Sequence, residues 1–170
     1  MTRFTERLRL EPIGVGHATD LLLLHQDPGI ARWYGPWTET DAADYAAAAG
    51  RAWRDETVHN WLAYDRGTGA LVGRGGLSYQ DVDGARRLEL GWAVRECLWG
   101  NGYATEIGRA GLVFAFGELG AAEVVSFTEP HNERARAVML RLGFHHPRDI
   151  RHRGEPFVLY VLGAPPRLAW

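Results

Sequence analysis

One stretch, residues 86–128, restricts the fold of this chain most, because three patterns follow one another in it. Large apolar residues alternate with small or charged ones over residues 86–94, which predicts a half-buried strand. One face of this strand carries Leu88, Leu90, Trp92 and Val94, and the other carries Glu89, Gly91 and Ala93. A helical spacing over residues 103–118 and a strand pattern over residues 123–128 complete a βαβ crossover, whose two strands are expected to be parallel.

Patterns outside this crossover predict further strands and helices, and the expected fold class is therefore α/β. Strands are predicted over residues 7–11, 58–64, 70–79, 144–146 and 156–162. Helices are predicted over residues 17–26, after Thr38 and after Asn132, with a loop or a short helix over residues 30–37. Thr38 followed by Asp41 is close to a capping box, which supports the second of these helices.

Composition restricts the class of protein. The chain has 170 residues, which suits one domain over residues 1–170, with residues 163–170 expected as a loose tail. The formal charge of -2 gives no sign of a nucleic-acid partner, and no apolar run is long enough for a membrane span or a signal peptide. Cys97 is a single cysteine, and the seven histidines show no metal-ligand spacing. We therefore expect a cytoplasmic protein without a metal site.

The turn Gly100-Asn101-Gly102 lies where the crossover helix begins. Two glycines let a ligand approach the backbone, and the N–H groups at a helix start favour a diphosphate. A dinucleotide fingerprint would need a third glycine where Thr105 stands, and a nucleoside-triphosphate loop would need a lysine, which the chain lacks. A tight turn without a ligand is the structural alternative.

Five motifs occur in an order and at a spacing that resemble one family. They are Thr5-Glu6-Arg7-Leu8-Arg9-Leu10, Glu89-Leu90-Gly91-Trp92, the block from Trp99 to Glu106, Asn132 at a helix start, and Leu142-Gly143-Phe144 at its end. On these residues the chain resembles the GNAT superfamily of acetyltransferases. Within that superfamily it is most similar to the ribosomal-protein N-terminal acetyltransferases, which act on alanine or serine.

The resemblance implies a fold and a site for acetyl-CoA as co-substrate. The fold would be a mixed, mostly antiparallel seven-strand sheet, splayed between two central parallel strands and flanked by about four helices. Backbone groups of Trp92, Ala93 and Val94 would hold the pantetheine arm, and the Val94 N–H would stabilise the oxyanion. Asn132 would bond the same arm, although it suits a plain helix N-cap equally well. The diphosphate would bind the N–H groups of Trp99, Gly100, Asn101, Gly102, Tyr103, Ala104 and Thr105.

Glu89 is the candidate general base, because its strand face otherwise carries only glycine and alanine and leaves room for a substrate. The alternative is a surface glutamate paired with Arg86 or Arg87. The resemblance also implies a serine or a tyrosine that protonates the leaving thiolate. This chain has Ala135 and Met139 at those positions, so the sequence offers no candidate for the general acid.

The expected acceptor is a primary amine, and the missing acid favours a protein or peptide N-terminus. An α-amine has a pKa of about 7.7–8.0 against about 10.4 for a lysine side chain, so a weak base deprotonates it more readily. Trp33, Tyr34 and Trp37 are expected to form an aromatic wall of the acceptor site, or else to close the core.

Two alternatives stay open at this point. An aminoglycoside-like drug could be the acceptor, drawn to the acidic residues Asp27, Glu39, Asp41 and Asp44. A non-catalytic acyl-CoA sensor would also account for Ala135 and Met139. The oligomeric state, with a homodimer among the options, is not fixed by the sequence.

Overall fold

A computed structural model describes residues 1–165, which form one mixed sheet with helices on both faces. Its strands are β1 (Arg3–Phe4), β2 (Leu8–Pro12), β3 (Asn60–Asp65), β4 (Leu71–Val82), β5 (Ala85–Val94), β6 (Glu123–Thr128), β7 (His145–His152) and β8 (Glu155–Gly163). Its α-helices are α1 (Ala18–His25), α2 (Pro28–Tyr34), α3 (Glu39–Asp55), α4 (Tyr103–Val113) and α5 (Glu133–Arg141).

The strand order is β1-β2-β3-β4-β5-β6-β8-β7, and β5 and β6 are the parallel neighbours at its centre. Their ladder consists of one pair, Glu89 opposite Val125, whereas β5 pairs with β4 along the whole length of β5. The sheet is therefore splayed between its two central strands. This confirms the predicted fold class.

The count and the ends of the elements differ from the prediction in three places. The described residues contain eight strands instead of seven, because Arg3 and Phe4 pair with Leu10 and Arg9. They contain five α-helices instead of about four, because the side chain of Asp27 accepts from the Gly29 N–H and starts α2. The predicted helix over residues 103–118 is α-helical only to Val113, and a wider turn of the π type follows over Phe114–Glu118.

Alternation along β3, β4 and β5 divides the core between the two faces of the sheet. One face packs against α1 and α3, where the buried alanines Ala42, Ala46 and Ala49 let α3 lie close to the strands. The predicted capping box of α3 is confirmed, since Thr38 Oγ1 accepts from the Asp41 N–H at 3.2 Å and Asp41 Oδ2 accepts from the Thr38 N–H at 2.7 Å.

The other face packs against α4, which approaches the sheet closely. A Cβ at Gly111 would lie 2.5 Å from Leu90 Cδ1, so a side chain there would push the helix away. This close packing fixes the start of α4 beside the point where β5 and β6 diverge.

The C-terminal end of the described chain adds to the sheet. Gly163 closes β8 opposite Glu123, and the Ala164 N–H donates to the Ala122 carbonyl at 2.8 Å. Residues 166–170 of the predicted tail lie outside the described residues. Within residues 1–165, no helix has the length and apolar character that crossing a membrane requires.

Candidate active site

A cleft of about 1760 Å³ opens where β5 and β6 diverge, and it reaches from the start of α4 to α2 and β4. Of the residues predicted from the sequence, all except Asn101 line it. Residues from distant parts of the chain therefore meet in one concave surface, which is the usual form of a ligand site.

The glycine turn before α4 forms one end of this cleft. Gly100 and Gly102 have φ angles of 78° and 80°, in the left-handed region that favours glycine. Gly102 is the N-cap of α4 and has no side chain that could bond the first N–H groups of the helix. A Cβ at Gly100 would meet no atom within 4 Å, so the turn is open. Backbone donors therefore face the cleft without a side-chain cap.

Arg7 braces this turn from outside. Its Nη1 donates to the Asn101 carbonyl at 2.9 Å, and its guanidinium lies 4.3 Å from the centre of the Tyr103 ring. Its Nε donates to Glu106 Oε2 at 2.7 Å, and Thr5 Oγ1 donates to Glu106 Oε1 at 2.6 Å. Burial raises the pKa of Glu106, but these hydrogen bonds outweigh it and lower the pKa overall. The carboxylate thus ties the N-terminal segment to the first turn of α4.

Asn101 does not line the cleft, because its side chain folds back on the chain. Its Nδ2 donates to the carbonyls of Leu98 and Trp99, at 3.0 and 3.1 Å. The Asn101 side chain therefore shapes the turn, whereas its neighbours Gly100 and Gly102 face the cleft.

The edge of β5 beyond Glu89 faces the gap left by β6. Three carbonyls of β5 point away from β4, as their side-chain donors show. The Leu90 carbonyl accepts from Ser126 Oγ at 2.7 Å, the Trp92 carbonyl from the Tyr34 hydroxyl at 3.2 Å, and the Val94 carbonyl from Trp99 Nε1 at 2.8 Å. In an extended strand the N–H of a residue points the same way as its carbonyl, so the N–H groups of Trp92 and Val94 face the gap. An extended ligand could pair with them as an added strand.

Asn132 stands at the start of α5 and uses both ends of its amide. Its Oδ1 accepts from the Ala135 N–H at 3.2 Å, and its Nδ2 donates to Thr128 Oγ1 at 3.1 Å. Asn132 also lines the cleft, so it can act as the N-cap of α5 and still belong to the candidate site. Ala135 and Met139 also line the cleft and offer no acidic proton.

Glu89 lies on the sheet floor at the other end of the cleft. Its Oε2 accepts from Ser78 Oγ at 3.3 Å, and its carboxyl lies over Gly91, where an added Cβ would come within 2.8 Å of Oε1. Desolvation raises the pKa of Glu89 from 4.5 to about 7, although the Ser78 hydrogen bond and the charge of Arg74 lower it. A carboxyl with such a pKa can accept and release a proton near neutral pH.

The alternative for Glu89, a surface pair with Arg86 or Arg87, does not occur. Arg86 pairs with Glu56 at 2.6 Å, and Arg87 pairs with Glu123 at 3.2 Å. Glu89 is only partly exposed and points into the cleft.

The three predicted aromatic residues take separate positions. Tyr34 is 47% exposed, but desolvation around its hydroxyl, which bonds to Trp92, raises the pKa of the phenol. Trp37 stacks on the buried ring of His25, with ring centres 3.4 Å apart. Trp33 lies 5.2 Å from the ring of His131, at the side of the cleft nearest α5. All three line the cleft, and Tyr34 and Trp37 belong to one cluster.

The centre of that cluster is Arg74, which the sequence patterns did not single out. Arg74 is only 6% exposed, and its guanidinium lies 4.7, 5.8 and 5.2 Å from the rings of Tyr34, Trp37 and Tyr45. Its Nε donates to His25 Nε2 at 3.0 Å, and its Nη1 donates to Asn60 Oδ1 at 3.1 Å. One signal was present in the sequence, since Arg74 stands between two glycines in the apolar first half of its strand, residues 71–77.

His25 stays neutral beside this cation. Burial, and next the charge of Arg74, lower the pKa of His25 from 6.5 to about 3. Its Nε2 can therefore act as the acceptor that Arg74 Nε requires, with the ring proton on Nδ1. At neutral pH the cluster thus carries the single positive charge of Arg74.

A family model described as an acetyltransferase (GNAT) domain matches residues 7–145 of this chain. Among curated proteins, YkkB of Bacillus subtilis is 28% identical over 158 residues, which cover 92% of each chain. The FsC-acetyl coenzyme A-N(2)-transacetylase of Aspergillus fumigatus is 31% identical over 85% of this chain, which spans 65% of that relative.

Solved structures show the same fold. A protein from Bordetella pertussis described as a GnaT-family acetyltransferase superposes with a TM-score of 0.85 at 22% identity, over 95% of this chain and 98% of its own. The ribosomal-protein-S5-alanine acetyltransferase of Vibrio fischeri gives a TM-score of 0.76 at 13% identity, over 96% of both chains. An aminoglycoside acetyltransferase solved with coenzyme A gives 0.77 at 17% identity, over 92% and 94%.

Proposed function

Because this chain belongs to the GNAT acetyltransferase family, we propose that it acetylates an α-amine from acetyl-CoA, with a protein or peptide N-terminus as the leading acceptor. The observation that carries this proposal is Glu89, a partly buried carboxyl with a pKa of about 7 on the floor of the cleft. General-base catalysis by such a carboxyl would speed acetyl transfer to an amine, whereas a sensor that only binds acyl-CoA has no use for it.

The described residues fit the cofactor that the family uses. The uncapped N–H groups at Gly102 and the first turn of α4 suit the diphosphate, and Arg7, whose charge is paired with Glu106, supports the turn by donating to the Asn101 carbonyl. The free edge of β5 at Trp92 and Val94 suits the amide-containing arm. When bound, acetyl-CoA supplies the acetyl group as a thioester, and the residues around it orient the acceptor and move protons.

Glu89 is proposed to accept the proton that the amine loses as its nitrogen bonds to the acetyl carbon. At pH 7 about one α-amine in ten is neutral, but only about one lysine amine in two thousand. A carboxylate with a pKa near 7 has little driving force to deprotonate a lysine, so the proton affinity of Glu89 favours the α-amine. The N–H of Val94, which faces the gap, is proposed to stabilise the developing oxyanion.

The aminoglycoside alternative receives less support from the residues that suggested it. Asp27 is engaged as the cap of α2 and also accepts from the Glu96 N–H at 3.1 Å, and Asp41 caps α3. The acceptor end of the cleft instead contains the buried cation Arg74, which would repel a polycation.

An acceptor panel tests the proposal. Purified protein with acetyl-CoA would be given a peptide with a free N-terminus, the same peptide with a blocked N-terminus and an internal lysine, and an aminoglycoside. Thiol release and mass spectrometry are expected to show transfer to the free N-terminus at the highest kcat/KM. Transfer to the aminoglycoside alone, or to the lysine alone, would contradict the proposal.

A further inference from the structure

Arg74 is a buried cation without a carboxylate partner in contact. Among residues 1–165, no acidic oxygen lies within 4.0 Å of its guanidinium, and the two hydrogen bonds that it makes go to neutral groups, His25 and Asn60. A buried charge without an opposite charge is costly, so such groups usually have a partner. Arg74 also lines the cleft, so a ligand can supply that partner.

The sheet register places Arg74 and Glu89 at two ends of one row. Asn60 pairs with Gly76, and Gly76 pairs with Gly91, so these three residues form a line across β3, β4 and β5. The guanidinium of Arg74 bonds to Asn60 at one end of the line, and the carboxyl of Glu89 lies over Gly91 at the other. Gly76 lies between these ends and has no side chain, and the Asn60 amide reaches from β3 to β4, where its Nδ2 donates to the Leu77 carbonyl at 3.2 Å.

Arg74 and Glu89 both line the cleft, and the charge of Arg74 lowers the pKa of Glu89, so the two groups are near enough to interact electrostatically. An acceptor whose amine lies at Glu89 could therefore direct an oxygen on a neighbouring atom toward Arg74.

We propose that Arg74 binds the carbonyl or carboxylate oxygen adjacent to the acceptor amine, while Glu89 faces the amine itself. The acceptor class is therefore an α-amino carbonyl compound, found both in a peptide N-terminus and in a free amino acid. The inference rests on the proposed acetyl transfer and adds the group by which the site distinguishes its acceptor. Arg74 suits this role because its planar fork offers donors that His25 and Asn60 do not use.

Four small amines test this in the wild-type protein. L-Alaninamide carries the neutral carbonyl, L-alanine carries the carboxylate, and an alanine-leading tetrapeptide represents a protein N-terminus. Propargylamine has an amine pKa close to that of alaninamide but has no oxygen, and the amine of free alanine has a higher pKa. Each kcat/KM is therefore corrected for the neutral fraction of its amine before the values are compared. We expect kcat/KM for the best oxygen-containing acceptor to exceed that for propargylamine by about 10- to 100-fold, the effect of a hydrogen bond to a charged group. Alanine above alaninamide would identify the carboxylate source, and the reverse order the carbonyl source. Equal values for all four amines would overturn the inference.

Two variants, Arg74→Gln and Arg74→Lys, test whether Arg74 causes the preference for an acceptor with an oxygen next to its amine. The glutamine variant is expected to lose most of the discrimination between alaninamide and propargylamine, and the lysine variant to keep part of it. Arg151→Gln, at an exposed arginine of β7, is the matched control and should keep the wild-type ratio. Coenzyme A binding, measured by calorimetry, reports whether each variant is folded. If Arg74→Gln does not fold, the ratio measured for Arg74→Lys decides the test. An unchanged ratio in a folded Arg74 variant would overturn the proposal.

A binding measurement separates this inference from the proposed function. Alaninamide is titrated into the protein–coenzyme A complex, without turnover. Binding that Arg74→Lys weakens by about tenfold, together with no acetylation of any amine, would support the subsite and contradict the transfer reaction. Acetylation with no Arg74-dependent binding and no preference would support the reaction and overturn the subsite.

Discussion

The two ends of the cleft differ in which part of the chain contacts a ligand, the backbone at one end and side chains at the other. At the cofactor end, the backbone provides the groups, in the left-handed turn through Gly100 and Gly102 and along the free edge of β5. At the acceptor end, side chains provide them, with Glu89 and Arg74 on the sheet and aromatic rings from α2 and α3 around them.

This difference has consequences for each end. A backbone site depends on conformation, so it tolerates most side-chain changes and fails where a glycine must keep a positive φ. A side-chain site depends on individual atoms, charges and proton affinities. Substitutions at the acceptor end should therefore change turnover, specificity and pH dependence, while those at the cofactor end should change the affinity for coenzyme A.

The largest expected effect is on turnover, from Glu89→Gln. We expect kcat to fall by about 100-fold or more, because the base is lost, while the Kd for coenzyme A stays the same. The raised pKa of Glu89 means that ionising it destabilises the native state as pH rises from 4.5 to about 7. Thermal unfolding at pH 8 should therefore show the variant to be at least as stable as the wild type. A loss of coenzyme A affinity in Glu89→Gln would contradict the separation of the two ends.

A smaller effect is expected on cofactor affinity, from Gly102→Ala. A left-handed conformation costs an L-residue about 1–2 kcal/mol, so the turn of the variant is expected to relax away from it. Coenzyme A binding would then have to restore the turn, and we expect about a tenfold weaker Kd by calorimetry. Gly117→Ala is the matched control, because a Cβ there would meet no atom within 4 Å. Equal affinities for the two variants would contradict a cofactor site built on this turn.

The sequence was informative where one local segment makes the structure. The crossover, the capping box at Thr38 and the glycine turn each depend on residues close together in the chain, and all three are present. The strand alternation also identified Glu89 as a residue facing open space.

The acceptor cluster could not be predicted in the same way, because His25 of α1 and Tyr45 of α3 meet Asn60 of β3 and Arg74 of β4 only when the helices pack on the sheet. No spacing in the sequence indicates this packing. The wide turn after Val113 was missed because Phe114 keeps the apolar period of α4, while the Leu119 N–H donates to the Phe114 carbonyl five residues earlier instead of four.

A third prediction concerns the tie between the N-terminal segment and α4. Glu106→Gln should lower the free energy of unfolding by about 1–2 kcal/mol at pH 7, because hydrogen bonds from Thr5 and Arg7 lose their charged acceptor. The folded-state pKa of Glu106 is lowered, so this difference should disappear as pH falls through that pKa. Chemical denaturation measures it. Glu118→Gln, in an exposed pair with Arg3, should change stability much less.

The smallest expected effect comes from Ser78→Ala at the acceptor end. The Ser78 hydroxyl donates to Glu89 and lowers its pKa, so removing it should move the acidic limb of the rate profile to higher pH. The rate at pH 7 should fall by about two- to threefold, while rates at pH 9 should match the wild type. A shift to lower pH would contradict the assigned hydrogen bond.

The most direct test of the account is the pH dependence of kcat/KM for an alanine-leading peptide in the wild type and in Glu89→Gln. The wild type should lose activity below pH 7 through a group with a pKa of about 7, in addition to the ionisation of the amine. The variant should keep only the limb that belongs to the amine. If both proteins showed the same acidic limb, Glu89 would not be the base, and the proposed chemistry of the acceptor end would be wrong.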